Sequence, residues 1–260
     1  MWGHYSAMKN ELEHIIRTYF SEDNTPIHFI GDGTHVEILA EKLSRLVPFD
    51  HPDAYAVLDD EVLIFEHFEF DSSNKLRRKG SQQRRSESED NKAFAAVVPT
   101  EKGTLHHGTI LADYTIGNYR ENLRQVFCKH YNEIPGYKNT LREKGIITDS
   151  KKVTTLFFVE DTTLFGNIFE TENREEGWQP LVLPLCDFFL ELFENSQDLD
   201  IVIAASWFPN EYCLWYIDRS MIQDCKLQAI DTKEIRIINF DPQHVGVKIS
   251  IPDSGFHAGN

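Results

Sequence analysis

The segment 52–71, PDAYAVLDDEVLIFEHFEFD, constrains the fold more strongly than any other part of the chain. Two extended runs, 54–58 and 62–70, flank a tight acidic turn, and this pattern predicts a β-hairpin. Glu66 lies inside the apolar second run, beside large apolar side chains. A carboxylate in such surroundings loses hydration and needs a cation, a hydrogen-bond donor or a proton. The sequence therefore marks Glu66 as the first candidate functional residue.

A Pro-Asp pair, Pro52-Asp53, opens the first run of the hairpin, and a predicted helix precedes it. Together with Glu66, this arrangement over 34–71 resembles the PD-(D/E)XK nuclease-like superfamily, in which a helix and a hairpin carry Pro-Asp and then acid-x-Lys. The resemblance implies a restriction-endonuclease-like domain. It also implies that Asp53 and Glu66 hold a divalent metal, Mg²⁺ or Mn²⁺, while a lysine assists the attacking water. The chain departs from this pattern at the lysine position, where it has Phe68.

Three further residues are candidates for roles that the resemblance implies. Many members carry a glutamate on the preceding helix that faces the metal, and Glu37 is the candidate here. Thr34 and Glu37 also match a capping box, which explains both residues without a metal. Lys79 or His67 is the candidate to replace the absent lysine, as a cation or as a proton acceptor. His67 also begins a His-x-Glu-x-Asp row on the other face of its strand, which is either a metal-binding row or a polar outer face.

The segment 72–92 has almost no apolar residues. Such a segment buries too little surface to offset the entropy lost on ordering, so its composition predicts a mobile loop. Its first part is basic and free of acids, which is typical either of a solvated insertion or of a flap that receives phosphates. Under the second interpretation, the nucleic-acid-binding residues are Lys75, Arg77, Arg78, Lys79, Arg84 and Arg85.

The net charge of the chain is −16, from 26 basic and 42 acidic residues. Such a charge repels phosphate backbones, so a nucleic-acid contact needs a local basic patch or metal ions. No apolar run approaches the ~20 residues of a membrane span, and the start lacks the order of a signal peptide. We therefore expect a cytoplasmic protein without a membrane partner.

Strands and helices alternate through the first two thirds of the chain, and strands dominate the last third. Long connections between strands that pass through helices imply parallel strand pairing, whereas hairpins imply antiparallel pairing. We therefore expect an α/β fold with a mixed central β-sheet flanked by helices, in a single domain over 1–260. Besides the hairpin, the patterns predict helices at 5–20, 35–46, 115–130, 137–144 and 185–193, and strands at 27–30, 93–98, 108–113, 153–161, 201–205, 212–217, 235–240 and 245–251.

A break near Pro135-Gly136 separates two of these predicted helices. Tyr119, Tyr131 and Tyr137 recur at helical spacing along them. These tyrosines are either core residues or a base-stacking face for nucleic acid.

Two functions from different classes are consistent with these observations. The first is a metal-dependent, nuclease-like enzyme that hydrolyses phosphodiester bonds of nucleic acid. The second is a catalytically inactive nuclease-like fold that serves as a binding module for a protein partner. Phe68 at the lysine position and the net charge of −16 both favour the second. The sequence gives no specific indication of oligomeric state.

Overall fold

The structure is a computed structural model that describes residues 27–29, 35–76, 80–95, 105–110, 115–163, 168–170, 178–208, 211–232, 236–237 and 245–250. Its α-helices are α1 (His35–Ser44), α2 (Gln82–Ala95), α3 (Ile116–Glu143), α4 (Asp187–Asn195) and α5 (Ile222–Leu227). Its first eight strands are β1 (Ile27–Phe29), β2 (Val47–Pro48), β3 (Ala54–Val57), β4 (Glu61–Phe70), β5 (Lys75–Leu76), β6 (Gly80–Ser81), β7 (Leu105–Ile110) and β8 (Lys152–Asp161). Six more follow: β9 (Ile168–Glu170), β10 (Trp178–Pro180), β11 (Ile201–Phe208), β12 (Glu211–Asp218), β13 (Arg236–Ile237) and β14 (Val245–Ser250).

Seven of the strands form one mixed sheet in the order β1-β12-β11-β8-β4-β3-β2. β8 pairs in parallel with β4 on one side and with β11 on the other. α2 and α3 lie in the connection from β4 to β8, and α4 lies in the connection from β8 to β11. The pairs β2–β3, β3–β4 and β11–β12 are antiparallel. The structure thus confirms the predicted α/β fold with a mixed sheet flanked by helices.

The predicted hairpin is confirmed as β3 and β4. β4 is almost continuously buried, because it lies inside the sheet between β3 and β8. Side chains alternate along a strand, so successive residues of β4 face opposite sides of the sheet. Glu66 and Phe68 face α3, where they contact His130. His67 faces the other side.

α3 runs without interruption through Pro135 and Gly136, so the predicted break is wrong. Both residues are exposed, whereas Ile134 and Tyr137 beside them are fully buried. Burial of the adjoining side chains offsets the roughly 3 kcal/mol that an interior proline costs a helix. Tyr119 is fully buried as well. Tyr119 and Tyr137 are therefore core residues and offer no base-stacking face.

The segment 72–92 is not the loop that its composition predicts, since it contains β5, β6 and most of α2. The Ser81 hydroxyl accepts a hydrogen bond from the backbone N–H of Arg84 at 3.2 Å, which caps α2. Arg85 forms an ion pair at 2.9 Å with Glu89, one helical turn later in α2. The buried side chain of Gln83 donates to a backbone carbonyl just after β8 at 2.7 Å. This segment is ordered by a helix cap and by polar contacts with the sheet. A prediction from apolar burial alone does not take such contacts into account.

Other predicted elements are confirmed with shifted bounds, and one is wrong. β8, β11 and β12 match the strands predicted at 153–161, 201–205 and 212–217. Residues 93–95, predicted to begin a strand, end α2 instead, because Ala-Phe-Ala continues a helix that is already formed. The helix predicted at 5–20 lies outside the described residues. No helix that the structure describes is both long and apolar enough to cross a lipid bilayer.

Candidate metal centre

Glu66 is buried in β4 and has three polar neighbours. Its Oε1 accepts a hydrogen bond from the Tyr137 hydroxyl at 2.6 Å and lies 2.6 Å from Nδ1 of His130. Its Oε2 accepts a longer bond, 3.3 Å, from the backbone N–H of Asp53. The carboxylate therefore has the hydrogen-bond donors that a buried polar group requires.

The Tyr137 hydroxyl links Glu66 to a second carboxylate, that of Glu133. The phenol oxygen is 2.6 Å from Glu66 Oε1 and 3.0 Å from Glu133 Oε2. A phenol has one proton to donate, so it satisfies one of these acceptors at a time. Burial, reinforced by the charge of Glu66, raises the pKa of Tyr137, so the phenol keeps this proton. Two carboxylates are therefore held close together by one shared donor.

Donor atoms of Glu66, His130 and Glu133 all lie within 4.8 Å of one another. One imidazole and two carboxylates suit Mn²⁺ or Zn²⁺, whereas Mg²⁺ prefers oxygen ligands alone. In octahedral coordination with metal–ligand bonds near ~2.1 Å, adjacent ligands stand about 3 Å apart. The 2.6 Å contact between His130 and Glu66 would have to widen by about 0.4 Å on that basis. Of the two metals that the resemblance implies, this group therefore fits Mn²⁺ better than Mg²⁺.

α3 supplies the part of the site that β4 lacks. His130, Glu133 and Tyr137 are spaced i, i+3 and i+7, so they lie on one face of the helix. The Phe68 ring stacks on the His130 imidazole, with centroids 4.8 Å apart and planes 13° apart. Phe68, at the position where the resemblance implies a lysine, therefore supports an imidazole whose nitrogen lies beside Glu66.

Asp53 lies beside Glu66, but it contacts that residue through its backbone. The Asp53 carboxylate Oδ2 accepts a hydrogen bond from the backbone N–H of His67 at 2.7 Å. Neither group of metal-ligand candidates among the described residues includes Asp53. The contacts thus give Asp53 a role in fixing the hairpin, and its binding of a metal stays a prediction.

His67 lies on the face of the sheet opposite Glu66, so it is not placed to act at that carboxylate in the role of the lysine that the resemblance implies. Its Nε2 is 3.2 Å from Oε2 of Glu160 on β8. The predicted His-x-Glu-x-Asp row is formed only in part. The Asp71 carboxylate accepts a hydrogen bond from the backbone N–H of Ser73 at 2.9 Å, because Asp71 lies just past the end of β4 at Phe70.

Three of the six predicted nucleic-acid-binding residues are described, and each contacts a side chain of this same chain. Lys75 donates to the side chain of Gln125 at 3.1 Å, and Arg84 pairs with Glu69 at 2.8 Å. Arg85 pairs with an acid one helical turn away. The ion pairs offset part of the positive charge, and phosphate binding here stays a prediction. The predicted site residues outside the described part of the chain are Arg77, Arg78, Lys79 and the side chain of Glu37.

Sequence reasoning missed His130, Glu133 and Tyr137 as a group. The predicted break at Pro135 placed Tyr137 on a separate helix, so the common spacing was not apparent. A signal was nevertheless present, because His130 and Glu133 interrupt the apolar stripe along which α3 packs. Polar residues on such a stripe mark a buried polar site just as Glu66 does in its strand.

Comparison of the chain with protein-family models, curated proteins and solved structures gives no match. The assignment of function therefore depends on the geometry and chemistry of the site.

Proposed function

We propose that the protein is a metal-dependent hydrolase that cleaves phosphodiester bonds of nucleic acid, with Glu66, His130 and Glu133 as its metal ligands. The observation that carries this proposal is the convergence of their donor atoms within 4.8 Å. The group lies beside a Pro-Asp hairpin, and the resemblance to the PD-(D/E)XK superfamily implies a metal at the acid of the second strand. The nuclease-like character of the fold is part of the same proposal.

The charges at the site support a bound cation. The side chains of Glu66 and His130 are only 6% and 14% exposed. Within the part of the chain that the structure describes, no lysine or arginine forms an ion pair with Glu66 or Glu133. Two carboxylates placed close together repel each other, and a bound cation relieves that repulsion. A metal ion held by Glu66 and Glu133 would supply that positive charge.

The residues around the ligands prepare them for this role. A divalent cation held here would offset the carboxylate charges and act as a Lewis acid toward a phosphoryl oxygen. Tyr137 fixes one oxygen of Glu66, and Phe68 fixes the ring of His130 by stacking. Asp53, just before β3, is joined to β4 by two hydrogen bonds: its backbone N–H donates to the Glu66 carboxylate, and its own carboxylate accepts from the backbone N–H of His67. Each ligand is thus positioned by a neighbour that need not bind the metal itself.

The net charge of −16 also bears on the substrate. A polyanionic backbone is repelled by such a protein unless a cation lies between the two. We therefore expect the metal to be required for substrate binding as well as for the chemical step.

The test is cleavage of single- and double-stranded DNA and RNA by the purified protein with Mn²⁺, Zn²⁺ or Mg²⁺. We expect cleavage with Mn²⁺, and a loss of about 100-fold or more in Glu66→Gln and in His130→Gln, because each variant removes one ligand. Glu121 is the matched control, since it is exposed on the same helix and pairs with Arg124. Glu121→Gln should cleave at the wild-type rate. Wild-type cleavage by Glu66→Gln would contradict the proposal.

A second function is supported by the completeness of the hydrogen bonding at Glu66. Both of its oxygens already have neighbours on the chain, and an aromatic ring fills the lysine position. A site satisfied in this way suits a nuclease-like fold that has lost catalysis and serves as a binding module. In that case no metal supports cleavage, and Mn²⁺ leaves the melting temperature unchanged, since only an ion that binds the folded state stabilises it.

A further inference from the structure

A second set of metal-ligand side chains lies on the other face of β4. His67 and Glu69 are two residues apart on that strand and share a face, and Glu160 is the register partner of Glu69 on the parallel strand β8. All three lie toward the carboxyl ends of these strands, the edge at which open α/β sheets place their ligands. They share no residue with the group formed by Glu66, His130 and Glu133.

The separations within this second set suit a metal ion. Donor atoms of His67, Glu69 and Glu160 lie within 4.8 Å of one another. His67 Nε2 and Glu160 Oε2 are 3.2 Å apart. Tetrahedral zinc with bonds of about 2.0–2.1 Å places its ligands about 3.3 Å apart. This pair therefore stands near the required spacing, whereas the 2.6 Å contact between His130 and Glu66 does not.

The exposed fraction of the side chain increases from His67 to Glu160 to Glu69. The His67 side chain is 3% exposed, that of Glu160 15% and that of Glu69 42%. The imidazole is thus fixed in the interior, next to the ring of Phe158 at 5.7 Å. The outermost carboxylate is accessible to an ion from water, which a metal site requires.

We propose that His67, Glu69 and Glu160 form a second divalent-metal site, of the zinc type, that does not depend on the proposed hydrolase function. One imidazole and two carboxylates are ligands that zinc accepts, and three protein ligands leave a fourth position open to water or another ligand. The two carboxylates occupy adjacent positions on neighbouring strands, where like charges repel, and a bound cation relieves that repulsion.

Arg84 competes with the metal for this site. Its guanidinium lies 2.8 Å from Glu69 and 3.9 Å from Asp71, and its side chain is about half exposed. An ion that binds Glu69 must displace this contact. Because an exposed ion pair is worth at most ~1 kcal/mol, Arg84 weakens metal binding without preventing it.

The experiment is a calorimetric titration of the full chain with Zn²⁺, in the wild type and in single variants, together with the visible absorption of bound Co²⁺. We expect His67→Gln to bind one fewer ion than the wild type. His130→Gln, the same substitution on the opposite face, should keep the ion at His67. Arg84→Gln should bind that ion about threefold to fivefold more tightly, because the internal competitor is gone.

The proposal is overturned if His67→Gln binds as many Zn²⁺ ions as the wild type with the same affinity. Should His67→Gln fail to fold, Glu160→Gln takes its place, and an unaltered Co²⁺ spectrum in that variant would be equally decisive. Since His130→Gln tests the other centre separately, failure of one proposal is distinguishable from failure of the other.

Discussion

Two carboxylates buried in neighbouring strands, Glu66 of β4 and Asp161 at the end of β8, have different surroundings. Glu66 is met by a phenol, an imidazole and a backbone N–H. Asp161 accepts the backbone N–H of Thr163 at 3.0 Å. Burial, with a smaller contribution from the charge of Asp71, raises the pKa of Asp161 to about 6 despite that hydrogen bond. Burial of a single carboxylate therefore does not identify a functional site. Its chemical role depends on the groups that contact it.

The raised pKa of Asp161 predicts a pH-dependent loss of stability. The folded state holds the proton more tightly than the unfolded chain, so stability is full below the ordinary pKa of 3.8 and falls as pH rises to about 6. The rise from 3.8 to about 6 corresponds to roughly 3 kcal/mol. Asp161→Asn has no proton to lose, so its free energy of unfolding should decline less over this range.

Urea unfolding of the wild type and of Asp161→Asn at intervals from pH 4 to pH 7 measures this difference. The wild type should lose up to about 3 kcal/mol relative to the variant across the range. Parallel pH profiles for the two proteins would show that Asp161 titrates normally in the folded state.

Among the elements, α3 carries the helical half of the candidate centre, and two glycines, one inside the helix and one just past its end, have opposite requirements. Gly136 is helical, and a Cβ there would lie 3.7 Å from His51 Nε2, an ordinary contact. Gly145, just past the end of the helix, has φ +72°, a conformation that side chains other than glycine rarely adopt.

Alanine substitution at these two positions should change stability in opposite directions. Gly136→Ala should stabilise by about 0.5–1 kcal/mol, because alanine restricts the unfolded chain and favours the helix. Gly145→Ala should destabilise by about 1 kcal/mol, because its Cβ strains the left-handed backbone. Urea unfolding of both variants provides the comparison. Destabilisation by Gly136→Ala would mean that the helix does not continue through Pro135 as described.

The elements also show where the sequence suffices and where it does not. The hairpin was predictable because strand alternation and a turn are local signals, and β3 and β4 follow them. α3 was predicted in two pieces because the penalty of Pro135 is local, whereas the burial that outweighs it comes from the rest of the fold. α2 was not predicted because polar contacts with residues beside β8 and β4 anchor it, and composition does not record such contacts.

Across the whole molecule, the candidate centre depends on contacts between distant parts of the chain. Glu66 and His130 are 64 positions apart, and they meet because α3 crosses β4 on its way to the parallel strand β8. The sequence predicted a mixed sheet, but strand order and the register of a helix on a sheet follow from packing between distant segments. The acid in β4 was therefore identifiable from sequence, whereas its partners on α3 required the fold.

The most direct test of the central claim is an anomalous difference map from crystals of the full chain soaked in Mn²⁺. The proposed function predicts a peak among Glu66, His130 and Glu133, with His130 Nδ1 moved away from its 2.6 Å contact with Glu66. Glu66→Gln crystals soaked in the same way should lack that peak. A map with no peak between these side chains, and with His130 still in direct contact with Glu66, would contradict the claim.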